Sequence, residues 1–178
     1  MRHRFGCPAL FVLTLLAASP VWGDSSTPAR FIAGWVEKVT VLPAGDLIKA
    51  KLDTGAKTSS INAGKIERFK KNGESWVRFE LRYDTVDGEN RTVPLERPLE
   101  RRVRIKEHDG DHDSRLVVAL DFCINAQRHR AQFSLVDRGD FVYPMLLGRR
   151  FLENVALIDP AATFEAKAGC PTTKKASQ

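Results

Sequence analysis

The sequence predicts an all-β protein, a barrel or sandwich of short strands joined by tight turns. Three observations lead there. Apolar residues recur with a period of two rather than 3.6 over most of the chain. Turn-forming groups separate those runs at short intervals: Pro43-Ala44-Gly45, Asn72-Gly73, Asp87-Gly88, Asp109-Gly110 and Arg138-Gly139. Only two short segments, 63–71 and 149–154, read as helix.

Taken in order, strands are expected at 34–42 and 47–52, followed by the first short helix. Val77, Phe79, Leu81 and Tyr83 then alternate with Arg78, Glu80 and Arg82, the signature of a half-buried strand. Asp87-Gly88, between Tyr83 and Val93, is the best hairpin signal in the chain. Val103 and Ile105 alternate with Arg102, Arg104 and Lys106. Leu116, Val118, Leu120 and Phe122 form the next run, and Ala131, Phe133 and Leu135 alternate with Arg130, Gln132 and Ser134. A last strand is expected at 155–158. The basic residues fall on the polar faces of these strands without interleaved aromatics. That pattern describes a solvated sheet face and predicts no nucleic-acid partner. His129, between Arg128 and Arg130, is expected to be exposed.

Composition sets the outer limits. The chain has 178 residues, 43% hydrophobic and 28% charged, which fits one globular domain and excludes a disordered or collagen-like chain. Met1 to Arg4 is basic, residues 5–18 are almost wholly apolar, and Val21-Trp22-Gly23 closes the segment with small residues. This is the order of a secretory signal peptide. The apolar run is shorter than the ~20 residues that span a bilayer, so no stable membrane insertion is expected. The predicted organisation is a signal peptide at 1–23, a flexible leader at 24–30, one domain at 31–168 and a flexible tail at 169–178, with export to the periplasm. Losing Arg2 and Arg4 lowers the net charge from +6 to +4. Of three Cys, Cys123 and Cys170 remain. They could pair in an oxidising compartment, or Cys123 could be a buried thiol and Cys170 an idle one.

The chemistry concentrates where a strand runs into Asp53-Thr54-Gly55-Ala56. Far downstream, Tyr143-Pro144-Met145-Leu146-Leu147-Gly148-Arg149 is an apolar strand ending in Gly-Arg before a short helix. Together the two elements resemble the retropepsin-type aspartic proteases. Leu52 to Ser60, Val136-Asp137-Arg138 and Tyr143 to Arg149 are similar, more narrowly, to a bacterial family usually labelled "ATP-dependent zinc protease", whose fold is retropepsin-like. The resemblance runs from about Gly34 to Leu152. It implies an acid-protease closed barrel with one or two short helices, and an aspartic-type endopeptidase with Asp53, Thr54 and Gly55 at the catalytic centre. Ala56, Gly148, Arg149, Asp137 and Arg138 would support that centre, and peptides or proteins would be its substrates. Two positions depart from the related families. Asn62 stands where many members have His. Lys57 stands where viral relatives carry the acid that pairs with the Gly-Arg arginine, leaving Arg149 to find another partner, with Asp137 and Asp159 as candidates.

Two carboxylates facing one water cannot both ionise, so they share a proton. One then acts as base on the water and the other as acid to the carbonyl. No second copy of the motif exists in the chain, because in Asp159-Pro160-Ala161 the proline lacks the N–H that the turn uses. The mechanism therefore requires a homodimer with one Asp53 from each subunit. The Asp87-Gly88 hairpin is the candidate flap, and the basic stretch 97–106 is expected to face an acidic substrate. No cofactor is predicted. The sequence has neither a His-Glu-x-x-His helix nor a Gly-x-x-x-x-Gly-Lys-Ser/Thr loop, so it carries neither half of the family label. His108 and His112, among three Asp, are weak metal candidates, and no metal site is expected. Against the peptidase stand three rivals: Asp53 as an ordinary turn residue, a catalytically silent peptide-binding module of the same fold, and a zinc-dependent peptidase.

Overall fold

A computed structural model describes residues 29–106, 112–139 and 141–171. The expected signal peptide, the turn at Asp109-Gly110, His108 and the end of the tail lie outside the described residues, as does the side chain of His112. Ten strands and one helical turn follow in order: β1 (Phe31–Val41), β2 (Asp46–Asp53), β3 (Ser59–Lys71), β4 (Glu74–Asp84), β5 (Asn90–Pro98), β6 (Arg101–Lys106), β7 (His112–Ile124), β8 (Gln127–Val136), β9 (Met145–Gly148), α1 (Arg149–Leu152) and β10 (Ala156–Thr163). Strands neighbour one another as β1-β2-β9-β3-β8-β7, and β7 returns to pair with β1 through Thr40↔Cys123 and Val41↔Phe122. The result is a closed six-stranded barrel of the retropepsin-like kind.

Alternation explains the core. In β2, Ile48, Ala50 and Leu52 are buried while Lys49, Lys51 and Asp53 share the other face. Phe79, Phe122, Phe133, Leu120 and Leu135 fill the interior with Ile48, Ile61 and Met145. β9 is a short apolar run because it lies inside the sheet, parallel to β2 on one side and antiparallel to β3 on the other.

One element differs from expectation. Residues 63–71 are strand, not helix, and pair with β4 from Ala63↔Leu81 to Lys71↔Glu74. A register shift between Gly64 and Glu67, with Lys65 at φ 48°, interrupts the alternation there. A bulge of this kind displaces side chains by one position, which mimics helical spacing. Asn72 and Gly73, with φ 51° and 82°, close the β3–β4 hairpin in the left-handed conformation that Asn-Gly favours.

The C-terminal segment is fastened twice. Cys170, assigned to the tail by the sequence, is joined to Cys123. Glu37, fully buried in β1, accepts hydrogen bonds from the backbone N–H of Gly34 (2.6 Å), Glu165 (3.0 Å) and Ala166 (3.1 Å). Replacing Glu37 by Ala strands two buried donors and one partly buried one, and each buried one costs about 1–3 kcal/mol. Glu37→Ala should therefore lose about 3 kcal/mol or more of unfolding free energy in a denaturant titration; a loss below about 1 kcal/mol would contradict this role.

Candidate active site

Asp53 is the last residue of β2 and lies opposite Gly148, the last residue of β9, in the parallel ladder. The chain turns immediately after it. The N–H groups of Gly55 (2.9 Å) and Ala56 (3.2 Å) donate to Asp53 Oδ1, and Lys51 Nζ stands 3.2 Å from Oδ2. Burial pushes the Asp53 carboxyl up, but the Lys51 ammonium and the two N–H donors outweigh it, so the group titrates below the usual carboxylate value. Thr54 and Gly55 are exposed beside it.

The turn is held from behind. The Arg149 guanidinium donates through Nη1 to the carbonyls of Thr54 and Gly55, both at 2.9 Å. Its backbone N–H donates to Ala56 O (2.9 Å), and that of Arg150 to Lys57 O (3.2 Å). This corrects the expected pairing of Arg149 with Asp137 or Asp159. Each of those acids instead accepts a backbone N–H two residues on, from Gly139 and Ala161 respectively. With Lys57 in place of an acid, the carbonyl oxygens of the turn supply the negative ends that Arg149 needs. Gly148 is required by contact: a Cβ there would lie 2.6 Å from the Thr58 carbonyl carbon and 2.7 Å from its oxygen. Ser59 Oγ accepts the Gly148 N–H at 3.1 Å.

Arg138 is 8% exposed and does not pair with its neighbour Asp137. Its Nη1 donates to Ser60 Oγ (3.0 Å), its Nε to Tyr143 O (3.3 Å), and its guanidinium lies 4.2 Å from the centre of the Phe141 ring. Burial and the charge of Arg115 weaken its hold on its proton, and the Asp53 carboxylate opposes them. Asn62 joins the walls: its Oδ1 accepts the Arg138 N–H (2.7 Å) and its Nδ2 donates to Arg82 O (3.0 Å). A cavity of about 440 Å³ opens here, lined by Lys49, Asn62, Arg82, Arg138 and the hairpin turn at Thr85, Val86 and Gly88. That turn, which carries the candidate flap residues Asp87 and Gly88, is tied down where the Val86 N–H donates to Leu47 O (2.8 Å).

Sequence reasoning underread two residues. Arg138, expected only to support the centre, is itself a wall of the cavity. His129 was expected at the surface, yet it is partly buried with its ring against Phe122 and Phe151. Its place on the Ala131–Phe133 face of β8 is the signal that the flanking arginines masked. Among the described residues no three His, Cys, Asp or Glu side chains gather as metal ligands.

The electrostatics can be tested directly. Because the folded Asp53 value lies below the unfolded one, near ~3.9, its interactions stabilise the fold above that pH and are lost as pH falls through the folded value. Lys51→Met should raise the Asp53 titration midpoint, followed by carboxyl ¹³C shifts; an unmoved midpoint would remove Lys51 from this role. Gly148→Ala should cost about 2 kcal/mol or more in thermal or denaturant unfolding, since backbone rather than a flexible side chain opposes the added methyl.

Comparison with known proteins places this geometry. Proteins from Shewanella pealeana and Shewanella halifaxensis, each named probable alpha-L-glutamate ligase, are both 36% identical over 117 residues. The matched segment is 66% of this chain and 25% of either relative, so the chain spans about a quarter of the length of these curated relatives. A protein of the same name from Desulfotalea psychrophila is 36% identical over 114 residues, 64% of this chain and 24% of that protein. Among solved structures, the Legionella pneumophila protein Lpg0085, of unknown function, superposes with a TM-score of 0.66 and 32% identity, covering 78% of this chain and all of that one. A family profile described as retropepsin-like aspartic endopeptidase RimB matches residues 32–168, and the chain belongs to this RimB-like family.

Proposed function

We propose that the protein is an exported aspartic-type endopeptidase that acts as a homodimer, with Asp53 of each subunit sharing one proton and one water. The observation that carries the reading is the Asp53 carboxylate itself. It stands at the end of a barrel strand, is oriented by two backbone N–H donors, and is backed by a turn locked through Arg149 and Gly148. In the dyad, one carboxylate takes a proton from the water while its protonated twin donates to the scissile carbonyl.

Features around the turn support a second copy docking there. Thr54 and Gly55 are exposed, and Thr54 and Arg149 line a hollow with Leu157 and Ile158. Leu157 and its cross-strand neighbour Ile32 are 50% and 65% exposed, an apolar pair at the sheet edge beside that hollow. Apolar surface next to an incomplete catalytic group is what an isologous interface would cover.

The substrate reading is an acidic peptide. Lys49 and Lys51 share the face of β2 that carries Asp53, and Arg82 and Arg138 line the adjoining cavity. Such a cluster favours carboxylate side chains. The relatives named for glutamate ligation contain a segment like this chain, which favours glutamate-containing peptides within that class. One observation favours a rival. Lys51 occupies Asp53 Oδ2, as it would in a silent peptide-binding module.

The test joins size and activity. The mature chain, incubated near pH 5 with a peptide library rich in Glu, should elute as a dimer and cleave, and Asp53→Asn should reduce cleavage at least a thousandfold while leaving elution unchanged. Cleavage that survives the substitution would end the dyad mechanism, and peptide capture by a non-cleaving wild type would establish the binding module.

A further inference from the structure

Another cavity shares no lining residue with the one walled by Lys49, Asn62, Arg82 and Arg138. It has a volume of about 370 Å³, within the range of sites that hold small ligands. Three guanidinium-bearing residues line it from three different elements: Arg101 of β6, Arg130 of β8 and Arg150 of α1. No Asp or Glu is among the described residues lining it. Arg101 is steadied by the hydrogen bond from its Nε to Gln132 Oε1 (2.9 Å), and Arg130 is ion-paired with Asp121 at 3.5 Å. The Arg150 side chain has no hydrogen bond or ion pair among the described residues. The remaining wall is apolar and aromatic: Phe151 stands edge-on to the His129 ring, their centroids 5.3 Å apart. Among the described residues, His129 Nε2 is buried with no hydrogen-bond partner.

Arg101 and Arg150 bring positive charge to this wall with no acid among its described lining, Asp121 offsets part of the Arg130 charge, and a net positive recess of this kind attracts an anion. Guanidinium groups pair with carboxylates through paired, charge-assisted hydrogen bonds, and the Phe151 wall suits the methylene stem of a side chain. We infer that this cavity is a second binding site, an exosite for the carboxylate side chains of an acidic polypeptide, formed by Arg101, Arg130 and Arg150. The inference rests on the acidic-peptide reading above and extends it. A chain held here would be tethered to the enzyme at a point other than the scissile bond. The gain is one of effective concentration: the second contact becomes intramolecular once the first has formed. The basic stretch of β6 thus contributes Arg101 to a recess outside the Asp53 cleft.

The experiment measures binding in protein that cannot turn over. The mature Asp53→Asn chain is titrated into a fluorescein-labelled hexaglutamate peptide and followed by anisotropy, with amide chemical shifts read in parallel. Arg130→Gln and Arg150→Gln should each weaken binding about tenfold, and the double variant more, with shifts at Phe151 and Gln132 in the Asp53→Asn protein. Both arginines are exposed, and unchanged thermal unfolding confirms that the variants fold; Arg101→Gln provides an independent third variant. Unchanged affinity in all three, or shifts confined to Lys49, Asn62 and Arg138, would overturn the exosite. So would an oligonucleotide or inorganic phosphate that displaces the peptide from wild-type but not Arg150→Gln protein at lower concentration than free glutamate peptide, since the site would then select phosphate. The readout separates the two readings. A protein that never cleaves can still bind through Arg130, and one that cleaves without this dependence keeps the peptidase and loses the exosite.

Discussion

The insertion of β9 between β2 and β3 is the constraint on which the site depends. A four-residue strand holds ladders to both neighbours, and its last residue, Gly148, lies so close to the Thr58 backbone that no side chain fits. That contact places the start of α1 beside the turn after Asp53, where two successive backbone N–H groups and one guanidinium reach the carbonyls of residues 54–57. The turn is therefore fixed from two directions. Its own two N–H donors set the orientation of the carboxylate, and the carbonyls of the same peptide units are held by the Arg149 guanidinium at the start of α1. A turn fixed this way loses little freedom when substrate arrives, and pre-organisation of this kind is what an acid–base group requires.

A second layer of contacts surrounds the first. Asn62 and Arg138 bridge β3, β4 and the segment leading into β9, so the cavity walls are linked to the strands that carry the turn. Arg138 is the costly member, a largely buried guanidinium whose hydrogen bonds among the described residues go to a hydroxyl and a carbonyl rather than to a carboxylate. Burying a cation without an anion against it is unfavourable unless its donors are satisfied and some negative potential remains nearby. Phe141 offers its ring face, and Asp53 supplies the potential. The positive charge of Arg138 is thus part of the fold, held by the same contacts that keep the walls in place.

The all-β class and most strand positions were legible because one sheet face is buried and the other solvated, so period-two alternation survives in β2, β4 and the first half of β8, whereas β7 is buried on both faces from Val117 to Leu120. Where it does not survive, the reading failed. In β3, Lys65 takes a left-handed conformation within a bulge, and Gly64 beside it was the one local signal, a glycine inside a strand. The Asp53 turn and the Gly148-Arg149 strand end were legible as motifs. The partner of Arg149 was not, because its acceptors are carbonyl oxygens, which every residue possesses and which only geometry selects. The Cys123–Cys170 bond and the Glu37 anchor stayed open for the same reason: both depend on the C-terminal segment folding back along β1, a path of high sequence separation with no local signal.

The sharpest tension lies between Lys51 and the shared proton. Two unit charges 4 Å apart interact by about 4 kcal/mol at an effective dielectric of 20, so the repulsion between twin carboxylates and the attraction of one ammonium are of similar size. In a dimer each carboxylate would bring its own Lys51. The repulsion alone would hold one carboxylate protonated well above the ordinary range, whereas the two ammonium groups oppose this and draw both midpoints of the coupled pair downward. The singly protonated form then persists over a more acidic window than an unflanked dyad would give. An acidic side chain would alter the balance in such a dimer: entering the cleft, it would compete for Lys51, free Asp53 Oδ2 and return the pair toward a shared proton. On this argument, the residue that most threatens the peptidase reading would also couple substrate charge to the ionisation of the catalytic acid.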